Sequence, residues 1–325
     1  LRFAVDRRWF LSSAIATLST IPGLAQAEPD FDLQAAAMPT DDFTPAEITG
    51  MRQAAAAFDR KDFVKAEELL TVALQDFRRN NRPDPAIAQV LLMRGQVRTD
   101  SKAFARAIED YDACLDIMER TGRRPDGRAA FSEFPSTFVD RGLAHEGLAD
   151  WAAAVNDYSE AIKLWGGDNA LATDGINPYV LTFRGNALAA QGQYDAAITD
   201  YRRAESVFSR VNHDRDMAAQ SRANAALAAY EIGRTAEAER EMRSIVKRTP
   251  GLTDMHVALA MIAYDRGDLA VAETEWDYAC NHITTGCSKY RDLDWVQRIR
   301  RWPPSLVNIL KRFMSMRDLT PLAPN

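Results

Sequence analysis

The stretch Gly192-Gln193-Tyr194-Asp195-Ala196-Ala197, followed by Tyr201 and Ala204, decides the fold of this 325-residue chain. A turn residue precedes an aromatic residue, an alanine follows three positions later, and apolar or small residues come four and seven positions after that alanine. Residues at this spacing share one face of a helix, so the motif predicts a tight turn and then a helix that packs along one side. Further copies are Phe104/Ala107/Tyr111/Cys114, Trp151/Ala154/Tyr158/Ala161, Leu269/Ala272/Trp276/Ala279, a degraded Phe63/Ala66/Leu70/Ala73, and a sixth that keeps Gly233, Ala238 and Pro250.

Glycines mark the helix that precedes the turn in the three central copies. Gly95, Gly142 and Gly185 each lie 12 residues before the alanine of their repeat, which places one small residue on each helix where the two axes cross. Each copy is therefore predicted to be a helical hairpin. The tyrosines four residues after these alanines are predicted to fill the gap to the next hairpin; they are Tyr111, Tyr158 and Tyr201.

The repeated pattern resembles the tetratricopeptide repeat, a helical hairpin with small residues in both helices, an aromatic residue before the second helix and often a closing proline. The resemblance covers residues 47–280. It implies an all-α, right-handed α-solenoid of about six hairpins, which we expect a C-terminal helix to cap. Such stacks offer surfaces to partner proteins, so the resemblance also implies a scaffold rather than an enzyme. The units begin near Glu47, Ala88, Pro135, Pro178, Ala219 and Thr253.

Most repeats are longer than the roughly 34-residue period of that family. Successive key alanines are 41, 47, 43, 41 and 34 residues apart. The extra residues are rich in Gly, Pro, Asp, Asn and Arg, which favours loops. We assign them to the connections 80–85, 121–133 and 166–177 between hairpins. Long connections at one edge of a stack form a second candidate binding surface.

A charged pair recurs once in each central repeat, with the arginine 16 residues before the aspartate. Because each arginine comes with its own aspartate, we interpret the pairs as ion pairs between the two helices of one hairpin. The alternative is that the three arginines line a groove for an acidic partner. The pairs are Arg94/Asp110, Arg141/Asp157 and Arg184/Asp200.

The N-terminus has the order of an export signal. Arg7-Arg8-Trp9-Phe10-Leu11 opens a moderately apolar stretch that ends in Ala25-Gln26-Ala27, a small-residue cleavage site. The paired arginines resemble a twin-arginine signal. Residues 1–27 are therefore predicted to be an export signal, and residues 28–46 an acidic linker; the alternative is a helix that caps the repeats. Since the sequence starts at Leu1 rather than methionine, we expect a further targeting segment upstream.

The family resemblance also implies a concave groove lined by the first helices of the hairpins. Asn186 and Asn224 match positions where related peptide binders hold a backbone, whereas Thr182, Asp254 and Ala258 replace basic residues of those binders. We therefore predict a groove for an extended or helical segment rather than a carboxylate clamp. The alternative is that the aromatic rings pack between repeats. The groove residues are Tyr179, Phe183, Asn186, Asn224, Leu227, Tyr230, Met261 and Tyr264.

The C-terminal region, residues 281–325, is basic within a chain of net charge −6. Apolar residues recur at helical spacing from Leu306 to Met314, which predicts an amphipathic helix. Its apolar side is expected to cap the last repeat, and its basic side to face anionic lipid or an acidic partner. The candidate contact residues are Arg298, Arg300, Arg301, Trp302, Lys311 and Arg312.

Cysteine usage and composition limit the kinds of chemical site that the sequence predicts. Cys280 and Cys287 flank a short loop and are a candidate disulfide if the protein is exported, or else two thiols. Cys114 is expected to be a core thiol. The four histidines are scattered, and no phosphate-binding glycine loop or nucleophile elbow occurs, so no catalytic residue, metal or cofactor is predicted. An acidic chain without a broad basic stripe is a poor binder of nucleic acid.

The segment from Tyr278 to Arg301-Trp302-Pro303-Pro304 resembles the end of tetratricopeptide proteins of the thylakoid lumen in plants and algae. That resemblance implies an adaptor, assembly or stabilising subunit of a photosystem or a related membrane complex, with subunits of that complex as partners. Two alternatives remain open. One is a bacterial periplasmic adaptor of an envelope assembly, and the other is a thiol-redox protein that uses Cys280 and Cys287.

Overall fold

The computed structural model describes residues 43–121, 134–165, 177–284 and 286–319. The predicted export signal, residues 1–27, and most of the predicted linker, residues 28–46, lie outside these ranges. All regular secondary structure within them is helical. The chain divides near residue 170 into two compact units, called unit 1 and unit 2 below.

Unit 1 consists of three antiparallel hairpins. Each helix packs against the next one along the chain, both within a hairpin and between the first two hairpins and their successors. The hairpins are α1/α2, α3/α4 and α5/α6, with the helices α1 Pro45–Asp59, α2 Phe63–Arg79, α3 Asp84–Asp100, α4 Phe104–Thr121, α5 Phe134–Gly147 and α6 Trp151–Leu164.

Unit 2 repeats this arrangement and adds a C-terminal segment. The last helix, α13, packs on α11 and also touches α9, the first helices of the last two hairpins. The predicted all-α fold of tetratricopeptide-like hairpins with a capping helix is therefore confirmed. The helices are α7 Pro178–Ala190, α8 Tyr194–Val207, α9 Arg215–Glu231, α10 Thr235–Arg248, α11 Thr253–Asp265, α12 Leu269–Asp277 and α13 Pro304–Leu319, and π-helical turns at Phe208–Asn212 and Tyr278–His282 extend α8 and α12.

Every hairpin of the described chain turns through three residues, and the middle one has a positive φ. The left-handed conformation is unfavourable for residues with a Cβ and free for glycine. Unit 2 uses glycine at all three middle positions, whereas unit 1 uses larger residues. The middle residues are Lys61, Lys102 and Ala149 in unit 1, at 58° to 62°, and Gly192, Gly233 and Gly267 in unit 2, at 76° to 86°.

The tyrosine of each central repeat packs on the glycine of its own hairpin. A Cβ on Gly95 would lie 2.5 Å from the Tyr111 ring, and a Cβ on Gly185 would lie 2.7 Å from the Tyr201 ring. The prediction that small residues stand where the helices cross is confirmed. Each ring also occupies the space that the missing Cβ leaves within its own hairpin, a contact that the sequence pattern did not predict.

The 41-residue spacing between Ala66 and Ala107 also arises in a different place from the one predicted. Residues 80–83 are the whole connection between α2 and α3, so the connection is short. The excess lies instead in the helices, because α2 and α3 have 17 residues each and α4 has 18. The other two predicted connections, 121–133 and 166–177, lie almost wholly outside the described residues.

The core follows the small-residue pattern. The key alanines Ala66, Ala107 and Ala154 are fully buried, as are Ala197, Ala238 and Ala272. No helix in the described ranges is long and apolar enough to cross a membrane.

Two carboxyl groups on the first helices of unit 1 couple its stability to pH. Burial raises the pKa of Asp100 to about 6, and the charge of Lys61 partly offsets this rise. Burial also raises the pKa of Asp140 well above its usual range, although the Gln96 side chain donates a hydrogen bond to it. When a folded-state pKa is raised, the contribution to stability is complete below the unfolded value of about 4 and is lost as the pH rises through the folded value.

We therefore expect Asp100→Asn to flatten part of the pH dependence. Relative to this variant, the wild-type protein should lose on the order of 1 kcal/mol of unfolding free energy between about pH 4.5 and 6.5, a figure discounted for the partial exposure of Asp100. Urea unfolding of both proteins at the two pH values measures this, and the difference between them cancels histidine titration. Equal losses in both proteins would contradict the assignment.

Candidate partner-binding groove

The charged pairs that recur in the sequence join the two helices of each hairpin. Arg94 donates to both oxygens of Asp110, with Nε–Oδ2 at 3.0 Å and Nη2–Oδ1 at 2.7 Å. The fork repeats in the next two hairpins as Arg141–Asp157 and Arg184–Asp200. The interpretation of the pairs as ion pairs within a hairpin is confirmed, so these arginines are already engaged.

Two further pairs complete the series and were missed in the sequence. In the fifth hairpin Arg222 donates to Glu241 at 2.8 Å, and in the sixth His256 Nδ1 lies 2.6 Å from Glu275. Their spacing is 19 residues rather than 16. Glutamate is one methylene longer than aspartate. Glu241 and Glu275 therefore reach a basic residue that stands one turn closer to the N-terminus of the first helix than the arginine of the central repeats does. The signal was visible, because an acidic residue stands three positions after the key alanine in all five later repeats.

The aromatic residues predicted for the fourth hairpin lie on α7. Tyr179 is partly buried and makes an edge contact with Phe208, with ring centroids 4.9 Å apart. Phe183 is partly buried one turn further along the helix. The Tyr179 ring therefore contacts its own hairpin, whereas the alternative had the rings packing between repeats.

Several predicted groove residues in the last two hairpins are not open to a partner. Leu227 and Met261 lie in the core of unit 2, with exposures of 3% and 0%. Tyr264 makes an edge contact with Phe313 of α13, at 5.2 Å between ring centroids. Tyr230 is partly buried against the same core. The prediction that these residues line an open groove is wrong for Leu227 and Met261, because both side chains belong to the buried core that α9 and α11 share.

The two asparagines are held by their oxygen atoms. Asn186 Oδ1 accepts from the Tyr201 hydroxyl at 2.9 Å. Asn224 Oδ1 accepts from Arg300 Nη2 at 2.9 Å and from Gln220 Nε2 at 3.2 Å. Neither amide nitrogen has a hydrogen-bond partner among the residues that the structure describes. The side chains are thus oriented with their NH₂ groups unengaged.

Asp254 anchors the C-terminal segment to α11. This carboxylate is buried and accepts from the Tyr290 hydroxyl, from Trp302 Nε1 at 3.2 Å, and from Arg300. Burial acts to raise the pKa of Asp254, but the charge and hydrogen bonds of Arg300, with those of Tyr290 and Trp302, outweigh it and hold the pKa below its usual value. The segment is therefore fixed by one buried ion pair and its neutral donors.

The predicted basic face of the tail is only partly outward. Arg300 bonds inward to Asp254, and Trp302 is 3% exposed, so the prediction of an outward contact is wrong for both. Arg301 is partly buried and has a φ of 57°. The exposed members are Arg298, which pairs with Asp294, Lys311, and Arg312, which pairs with Asp265.

Cys280 and Cys287 form a disulfide, which confirms that reading of the pair over two thiols. It ties the end of the π-helical extension of α12 to the turn that carries Tyr290. Cys114 is buried and donates to the Ala88 carbonyl, as expected for a core thiol. No cluster of side chains suited to a metal ion occurs within the described ranges.

Comparison with known proteins identifies the repeats. Two tetratricopeptide-repeat family models match, one at residues 179–248 and the other at residues 139–207 and 223–279. The chain is a tetratricopeptide-repeat protein. The matched residues include α7 to α10 in full, so the groove asparagines of this tetratricopeptide protein lie on recognised repeats.

Solved structures agree with the fold of this tetratricopeptide protein. A tetratricopeptide repeat protein from Parabacteroides merdae is 16% identical with a TM-score of 0.56, over 85% of this chain and 88% of that one. Aspartyl phosphate phosphatase F from Bacillus subtilis is 12% identical with a TM-score of 0.51, over 88% and 78%. The nearly identical TPR-like repeats of a putative kinesin light chain from Podospora anserina are 14% identical with a TM-score of 0.52, over 65% and 99%. At these identities the likeness concerns the fold alone. No curated protein gives a significant sequence match.

Proposed function

We propose that the protein is a non-enzymatic scaffold that holds an extended segment of a partner protein in the groove of unit 2. The observation that carries this proposal is the pair of asparagines on successive first helices. Each has its oxygen held by a neighbouring donor and its NH₂ group unengaged. Such a pair suits the backbone carbonyls of an extended chain, which need donors at intervals.

Site-specific cross-linking tests the groove. A photoreactive benzoylphenylalanine replaces Phe183, which is partly buried on α7, and the protein is added to solubilised native membranes. A matched control carries the same group at Leu269, which is 51% exposed at the start of α12. We expect one defined protein to cross-link from position 183 only. Cross-links of equal yield from both positions, or none from 183, would contradict a groove that binds a partner.

For location, we propose the thylakoid lumen and a role as adaptor, assembly factor or stabilising subunit of a photosynthetic membrane complex. The twin-arginine pattern of residues 1–27 and the tail resemblance support this proposal. The disulfide is compatible with it, because disulfides persist outside the reducing cytosol. The bacterial periplasm is the alternative location, and the same features support it.

Export can be tested directly. Residues 1–60 are fused to a folded reporter, and Arg7 and Arg8 are both replaced by lysine in the control. We expect the native leader to direct the reporter into isolated thylakoids or a bacterial periplasm, and the lysine pair to block transfer. Import of both fusions, or of neither, would count against a twin-arginine route.

The disulfide gives a further expected result. Thiol titration of the denatured protein should find one thiol, that of Cys114, without reductant and three with it. Because the bridge closes a loop of only eight residues, replacing both cysteines by serine should cost about 2 kcal/mol of unfolding free energy. Chemical denaturation measures this cost. Three thiols in the protein purified under non-reducing conditions would favour the open alternative of two free cysteines.

A further inference from the structure

We propose that the segment held in the unit 2 groove is acidic, and that Arg300 of the C-terminal segment selects it. The proposal rests on the partner-binding groove proposed above and adds the chemistry of its occupant. In the sequence this groove lacks the basic residues of known carboxylate clamps, because Thr182, Asp254 and Ala258 stand in their places. In the structure the tail brings a cation to the same helices.

The orientation of Asn224 follows from its neighbour. A guanidinium group only donates hydrogen bonds, so the Asn224 atom 2.9 Å from Arg300 Nη2 is the oxygen. The NH₂ group then points away from Arg300. The one buried side-chain donor without a partner in the described ranges is Trp295 Nε1, so the Asn224 NH₂ group reaches solvent. Asn224 as a whole is only 8% exposed, so its NH₂ group is a recessed donor on α9.

Arg300 is mostly buried, with 17% of its side chain exposed. Its Nε and Nη2 bond to Asp254 and Asn224, and Nη1 has no partner among the described residues and is not a buried orphan. Asp254 in turn accepts from Tyr290 and Trp302 as well, so its oxygens are engaged behind the guanidinium group. A ligand therefore meets the donor edge of Arg300 and not the carboxylate.

The free donors lie along one stretch of unit 2. The hydroxyl of Tyr201 holds Asn186, and α8, which carries Tyr201, packs on both α7 and α9. The stretch thus runs from Asn186 on α7 through Asn224 on α9 to the Arg300 guanidinium edge. Backbone carbonyls of an extended chain suit the two amides, and an aspartate or glutamate side chain suits the guanidinium, which donates strongly to carboxylates. A lysine at that point would face a like charge.

Fluorescence anisotropy with designed peptides tests the selection. The probes are fluorescein-labelled dodecapeptides of alternating leucine and serine in which four serines are replaced by aspartate, asparagine or lysine, all amidated at the C-terminus. We expect the aspartate peptide to bind the wild-type protein at least ten-fold more tightly than the asparagine peptide, and the lysine peptide to bind most weakly. The preference should shrink as salt is raised.

Asn224→Asp is the decisive variant because it keeps the oxygen that Arg300 and Gln220 bond and replaces only the free NH₂ group by a carboxylate oxygen. We expect it to remain folded by circular dichroism and to lose at least ten-fold in affinity for the aspartate peptide. Arg291→Gln, at an exposed arginine of the same C-terminal segment that is not among the candidate contact residues, is the control and should leave all affinities unchanged.

The outcomes separate the two proposals. If the three peptides bind with equal affinity, or if Asn224→Asp leaves the affinity for the aspartate peptide unchanged, the proposal of acidic selection is wrong. The proposal of a partner-binding groove is not affected by that result. If none of the three peptides binds, the groove itself is wrong.

Discussion

Asp254→Asn is expected to lower the free energy of unfolding by about 3–5 kcal/mol, because it leaves a buried arginine without its counter-charge. Arg300 donates to Asp254 with two nitrogens, and little of its side chain is exposed. An amide offers one acceptor oxygen and no charge in place of a carboxylate that receives donors from four side chains, those of Arg300, Tyr290, Trp302 and Gln220. Urea or thermal unfolding of the complete chain measures the loss.

Two companion variants separate charge burial from a general effect of changing the tail. Asp265→Asn breaks the exposed pair with Arg312 and should cost under about 1 kcal/mol, as surface ion pairs do. Asp254→Leu combined with Arg300→Met removes both buried charges and should recover part of the loss, because the apolar pair carries no desolvation cost but leaves the Tyr290 and Trp302 donors without their acceptor. A cost for Asp254→Asn no larger than that for Asp265→Asn would contradict the anchoring role.

The ion pair between Arg300 and Asp254 could not be predicted from the sequence, although the hairpins could. The hairpins could be predicted because their signals are local: alanine, tyrosine and aspartate recur at fixed spacings within one helix or across one turn. Arg300 meets Asp254 across 46 residues. No periodicity links the two, so the sequence pattern predicted an outward basic residue where the fold needs an inward one.

Leu227 and Met261 illustrate a second limit. Their register on α9 and α11 matched groove positions of the family, but register states only the face of a helix and not what covers it. On α11 the residues from Thr253 to Ala263 are all buried, so the groove face is also a core face. The asparagines kept their predicted positions, whereas the donors that hold their oxygens depend on Tyr201 and on the tail.

Gly142→Ala is expected to destabilise the protein by about 2–3 kcal/mol, because the added methyl group overpacks a closed helix crossing. A Cβ at this position would lie 2.6 Å from the nearest carbon of the Tyr158 ring, which is fully buried. The Tyr158 hydroxyl also bonds to Glu146 at 2.8 Å, so the ring is held at both ends and has little freedom to move. The cost exceeds the gain of up to about 1 kcal/mol that alanine brings to a helix interior.

The same substitution at Gly50 is the matched control, since it too lies inside a helix, but nothing stands within 4 Å of its added Cβ. Gly50→Ala should therefore stabilise the protein by about 0.5–1 kcal/mol, opposite in sign to Gly142→Ala. Chemical denaturation compares the two on one chain. If Tyr158 is the obstacle, Tyr158→Leu combined with Gly142→Ala should cost less than the sum of the two single changes, because the pair shares one space. If the free-energy changes of the two single variants simply add, the methyl group meets some obstacle other than the Tyr158 ring. The glycine would then be required by the close approach of the two helix backbones.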